Sequence, residues 1–207
     1  MMRSRLRLRA LVIGGALAGL LSACSSVPPP RFHTLMLPPA AVKASSEVLA
    51  AGTLTWEVLP VKVPAQVDQP QWVVRTVDGS LAVLEQERWV APLGEEIRAV
   101  VSERLSKTLG APAVSAVPDK RWRVRIDVLR FDSVPGVEAR LGATWTLTSD
   151  AENAAALRCR GEFVQSVAGP GYLALGAAHQ GTVAQLAEAI KQELAALAAG
   201  RPAECGV

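Results

Sequence analysis

The sequence predicts an α+β domain, a largely antiparallel sheet with two amphipathic helices packed on one face. Three observations carry that prediction. Two segments, near residues 92–109 and 181–199, place apolar residues at helical spacing. Three runs in the second half alternate apolar and polar residues with period two. Asp78-Gly79 offers a hairpin turn between two further apolar runs.

The chain opens with Arg3, Arg5, Arg7 and Arg9 and no acidic residue among them, followed by an apolar run over residues 10–21. This is the basic and then apolar pattern of a secretory signal. As a helix the run covers about 18 Å, well short of a hydrocarbon core of roughly 30 Å, so it addresses the chain to export. It ends in Leu21-Ser22-Ala23-Cys24, which resembles the bacterial lipoprotein signal of Leu, a small residue, Ala or Gly, and Cys. The resemblance implies lipidation of the Cys24 sulfur, cleavage before it and acylation of the new amino terminus. The plainer alternative is an ordinary signal peptide that ends in Cys. The expected division is 1–23 as cleaved signal peptide, 24–30 as lipidated Cys and Pro-rich tether, 31–200 as a single domain and 201–207 as a tail. Pro28-Pro29-Pro30 favours polyproline II, and at about 3.1 Å per residue a six-residue tether reaches only about 19 Å. The domain should therefore sit close to the lipid surface.

Residues 31–37 read as a first strand, with Phe32 and Leu35 apolar, stopped by Pro38-Pro39; 40–53 is small, polar and loop-like. A second strand is expected over 54–61, where Pro60 and Pro64 mark an edge or an end. Residues 71–77 and 81–86 form the hairpin arms around Asp78-Gly79. Residues 87–93 close the hairpin and open a helix, with Pro92 in the first turn, where its missing N–H costs nothing. Glu95 and Glu96 favour the positive end of that helix. Leu93, Ile97, Val100, Val101 and Leu105 form its buried stripe, and Gly110 ends it. Trp122-Val124-Ile126-Val128, then Ala139-Leu141-Ala143-Trp145-Leu147, then Leu157-Cys159-Gly161-Phe163 read as an antiparallel meander. Val183, Leu186, Ala187, Ile190, Leu194 and Leu197 line the closing helix.

Charge must be read after the signal is removed. The whole chain has 22 basic and 19 acidic residues, but four arginines leave with the signal, and the remainder has one more acid than base. The basic isoelectric point belongs largely to the targeting segment, so it gives no ground for a nucleic-acid partner. With Cys24 used by lipid, an oxidising compartment permits a Cys159–Cys205 disulfide; a buried free thiol at Cys159 is the competing reading.

Catalytic and metal patterns are missing. There is no H-E-x-x-H, C-x-x-C or G-x-S-x-G, and His33 and His179 are far apart in sequence. His33 reads as a surface or hydrogen-bonded structural residue. Gly169-Pro170-Gly171 with Gly176 lacks the spacing of a phosphate loop and reads as a flexible connection. Neither a cofactor nor a metal is expected. For binding, the stretch 167–178 offers Tyr172 among glycines, either to touch lipid or a partner or to lie across the sheet edge. Of five tryptophans, Trp122 and Trp145 fit core alternation, whereas Trp72 and Trp89 flank the hairpin and are interface candidates.

Four segments resemble the PqiC-type auxiliary lipoproteins of ABC-type transport systems. They are Arg31-Phe32-His33-Thr34-Leu35 before Pro38, the Pro-containing stretch 61–75 (VKVPAQVDQPQWVVR), the stretch 84–93 (LEQERWVAPL), and the Ala-rich closing helix. The Arg88-Trp89-x-x-Pro92-Leu93 element is the specific one and supplies further interface candidates. The family's usual tyrosine in the second stretch is replaced by Gln66-Val67. The resemblance implies a non-enzymatic, periplasm-facing outer-membrane lipoprotein of a phospholipid transport system. Its partners would be a mammalian-cell-entry-domain protein and an inner-membrane transporter, with self-association as a homo-oligomer a further expectation. Ser25, where an inner-membrane retention signal has Asp, favours outer-membrane sorting. A structural envelope lipoprotein with no transport role is the alternative.

Overall fold

The computed structural model describes residues 28–37, 54–110, 121–150 and 156–206. The signal segment, Cys24, the stretch 40–53 and Pro112 lie outside them. Among the described residues, seven strands and two helices follow in the order β1 Arg31–His33, β2 Thr55–Val58, β3 Gln71–Arg75, β4 Leu81–Trp89, α1 Leu93–Leu109, β5 Arg121–Val134, β6 Glu138–Ser149, β7 Leu157–Ser166 and α2 Gly171–Ala198. The fold is α+β as expected. No described helix is long and apolar enough to cross a membrane.

The strands form two sheets, ordered β1-β4-β3 and β2-β5-β6-β7. The β3–β4 hairpin and the β5–β6–β7 meander are antiparallel. Each sheet also takes one short N-terminal strand in parallel, β1 beside β4 and β2 beside β5. These two additions make both sheets mixed, a feature that period-two alternation alone does not encode. β3 lies against the second half of β5, where Trp72 Nε1 donates to Ser133 Oγ at 2.8 Å and Arg75 pairs with Asp132 at 3.1 Å. α1 packs on α2 and β2, and α2 covers β5, β6 and β7.

The helical stripes are buried as their spacing requires: Leu93, Ile97, Val100, Val101 and Leu105 on α1, and Val183, Leu186, Ala187, Ile190 and Leu194 on α2. The meander's inward set, Val124, Ile126, Ala139, Leu141, Ala143 and Leu147, is fully buried.

Several boundaries differ from the sequence reading: β2 covers only Thr55–Val58 and β3 ends at Arg75. β1 ends at His33, with Phe32 exposed and Leu35 buried beyond the strand. β4 runs on through Trp89, because β1 pairs with residues 87–89. α2 begins at Gly171, ten residues before the expected start, so the glycine-rich stretch 171–180 is helix and not a flexible connection. Burial of Leu175, Ala178 and His179 on that first part outweighs the poor helix propensity of Gly171 and Gly176.

Candidate functional site

β1, β4 and the starts of both helices converge on one corner. Strand alternation puts Arg31 and His33 on one side of β1 and Phe32 on the other. The parallel register then sets Arg31 opposite Glu87 and His33 opposite Trp89. The buried Glu87 carboxylate accepts from Arg31 Nη2 on one oxygen and meets His33 Nε2 at 2.6 Å on the other. A carboxylate removed from water needs such partners. In the first turn of α1, buried Glu96 accepts from Thr34 Oγ1 at 2.7 Å and from the Leu35 N–H at 2.8 Å. From α2, Gln180 donates to the Thr34 carbonyl at 3.0 Å. Both helices therefore pin the segment that follows β1.

Beneath this corner lies an aromatic cluster. The Trp72 ring centroid is 4.6 Å from that of Trp89 and 4.8 Å from that of His33. Phe131 stacks on His179 at 4.0 Å. Ser133 Oγ sits between the Trp72 indole N–H and His179 Nε2, the latter at 2.8 Å. Burial pushes the His179 imidazole down to about 3, against a small opposing pull from Asp132. The ring is neutral, and its Nδ1 has no partner among the described residues. Ser133 and His179 are 1% and 0% exposed, so this hydroxyl–imidazole pair is sealed from any substrate.

Above the cluster a cleft of about 450 Å³ opens to solvent. β1 and β4 contribute Arg31, Phe32, His33 and Glu87; the other wall is Pro170, Gly171, Tyr172 and Leu173 at the start of α2. Phe32 and Leu173 are 62% and 82% exposed.

Of the sequence-derived candidates, Tyr172 lies half-buried on this cleft, 6.1 Å from the Trp72 ring. Arg88 is half-buried and donates through Nε to the Glu85 carbonyl at 3.1 Å. Pro92 is exposed, and its carbonyl accepts the Glu95 and Glu96 N–H groups that open α1. Trp72, Trp89 and Leu93 are buried. All three belong to the hydrophobic core cluster, so in this chain they pack inward and present little surface of their own. Cys159 and Cys205 are bonded, with S–S 2.00 Å. Glu193 approaches both sulfurs, which are committed to each other and not free to ligate. Burial pushes the Glu193 carboxyl up, although Trp145 Nε1 donates to it at 2.5 Å.

Sequence reasoning missed Glu87, Glu96 and Ser133 as buried anchors and missed that both histidines meet at one indole. His179 lies 6.0 Å from the Trp72 ring. The available signal was the acidic residue in the Glu87-Arg88-Trp89 run, two positions before an inward-facing tryptophan and therefore on the same strand face.

A family model described as the ABC-type transport auxiliary lipoprotein component matches residues 34–191. The chain belongs to this family. The match spans β2 to β7, α1 and most of α2, starting directly after β1. The auxiliary-lipoprotein fold is also found in two crystal structures. One, of an uncharacterized protein, has TM-score 0.66 and 16% identity, covering 81% of this chain and 99% of the other. The second, a DUF330 protein from Xanthomonas campestris, has TM-score 0.60 and 18% identity, covering 84% and 96%. A comparison with curated proteins returns no match.

Proposed function

We propose that this auxiliary lipoprotein is anchored in the outer membrane through lipid on Cys24 and faces the periplasm. It serves there as a non-enzymatic docking or conduit subunit of an intermembrane phospholipid transport system. A mammalian-cell-entry-domain protein and an inner-membrane transporter are its partners. The observation that carries this reading is the juxtaposition of the family match, which starts at Thr34, with Leu21-Ser22-Ala23-Cys24 and a Pro-rich tether just upstream. Sealing of the Ser133–His179 pair supports a role without catalysis. Ser25 supports outer-membrane sorting.

Crosslinking in cells tests the partner. Copurification with a mammalian-cell-entry-domain protein is expected; capture of peptidoglycan alone, or of nothing, would overturn the reading. A deletion that shares detergent sensitivity and lipid-asymmetry defects with a neighbouring transporter separates this role from that of a structural envelope lipoprotein.

A further inference from the structure

We propose that the cleft between β1 and the start of α2 takes the phosphate-bearing headgroup of a phospholipid in the anchoring membrane. The proposal rests on the lipid-anchored reading above.

Position comes first. Pro28-Pro29-Pro30 leads straight into Arg31, and the seven steps from Cys24 to Arg31 reach at most about 25 Å even fully extended. The cleft therefore stays within that distance of the attached lipid. Its rims present Phe32 from β1 and Leu173 from α2, both largely exposed. Isolated exposed apolar residues are ordinary on any surface. These two flank one cleft at the anchored end, and such side chains enter the boundary between headgroups and acyl chains.

Charge is the second point. The Arg31 side chain is 71% exposed, and one nitrogen is held by buried Glu87. Its other guanidinium N–H groups have no partner among the described residues. Glu87 thus orients a fork whose free donors match a phosphate in geometry and charge. The volume of about 450 Å³ falls within the roughly 300–1,000 Å³ usual for small-ligand sites. Another exposed apolar strip, Val77, Leu81 and Val83, lies around the hairpin turn at the opposite end of β4 and serves as the internal control.

The test uses the full chain processed in its own cells. A photoreactive phenylalanine analogue replaces Phe32, Leu173 or, as control, Val77; after irradiation, mass spectrometry reads what each position has captured. Phospholipid adducts are expected at positions 32 and 173 and not at 77. Arg31→Ala should lower the yield at 173 about five-fold, the effect of one cation near an anionic surface, while Arg31→Lys keeps it. Thermal melting of the Ala variant verifies that it folds. Capture of protein alone at 32 and 173, whether a partner or a second copy, overturns the proposal. Equal lipid capture at 77 overturns it too, as does indifference to Arg31→Ala in a folded variant. Metabolic labelling with a palmitate analogue reads the anchor separately. Label present with no adducts at 32 and 173 defeats the cleft alone, and label absent defeats the anchor reading.

Discussion

At the scale of single residues, the segment Glu87 to Leu93 works as a joint. Glu87 ties β4 to β1 through Arg31 and His33, Trp89 fills the core between the sheets, and Leu93 seats α1. Trp89→Ala should cost about 3–5 kcal/mol, as for other buried aromatic truncations, measured by urea unfolding. His179 predicts a pH signature. Its folded value of about 3 lies below the unfolded value of about 6.5. The unfolded chain thus binds the extra proton throughout that window, and stability is full above pH 6.5 and declines as pH falls toward 3. One such group contributes a slope of about 1.4 kcal/mol per pH unit. His179→Gln should flatten the slope, as denaturation midpoints across the window would reveal.

At the scale of elements, two helical glycines make opposite predictions. A Cβ at Gly94 would lie 2.6 Å from the Val61 carbonyl oxygen, so the start of α1 rests on the backbone beyond β2. Gly94→Ala should destabilise by about 1–3 kcal/mol although alanine is the better helix former. At Gly176 a Cβ would meet the Trp72 ring at 3.7 Å, an ordinary contact. Gly176→Ala should therefore be neutral or stabilise by up to about 1 kcal/mol, and paired thermal melts compare the two. The helical stripes and the meander were legible in the sequence because each is a local period acting against one face. The parallel partners of β1 and β2 were not, since three- and four-residue strands carry too little pattern to name a partner more than fifty residues away. The start of α2 was hidden for another reason. Its glycines signal a loop locally, and only the burial of Leu175, Ala178 and His179 outvotes them. The cleft was half visible: Tyr172 stood out, but nothing in the sequence joined it to Arg31 and Glu87.

At the scale of the whole molecule, two long-range ties close the structure. Asp132 on β5 sits between Arg130 and Arg75 of the other sheet; burial raises its carboxyl, but the two guanidinium bonds hold it below the usual range. The Cys159–Cys205 bond fastens the C-terminal tail to β7 across 46 residues. Cys159→Ala with Cys205→Ala should cost about 2–4 kcal/mol, read from denaturant midpoints. Non-reducing mass spectrometry should find the bond in the native chain; two free thiols would contradict it.

The placement of β1 and β2 also bears on timing. Both are synthesised early, yet Thr55 pairs with Arg121 and Arg31 with Glu87. Closing such long loops is slow beside the zipping of hairpins. The meander and the β3–β4 hairpin pair strands that are neighbours in sequence, whereas the two leading strands wait for partners that emerge much later. The leading end of the chain is thus first to arrive and last to be locked into its sheets.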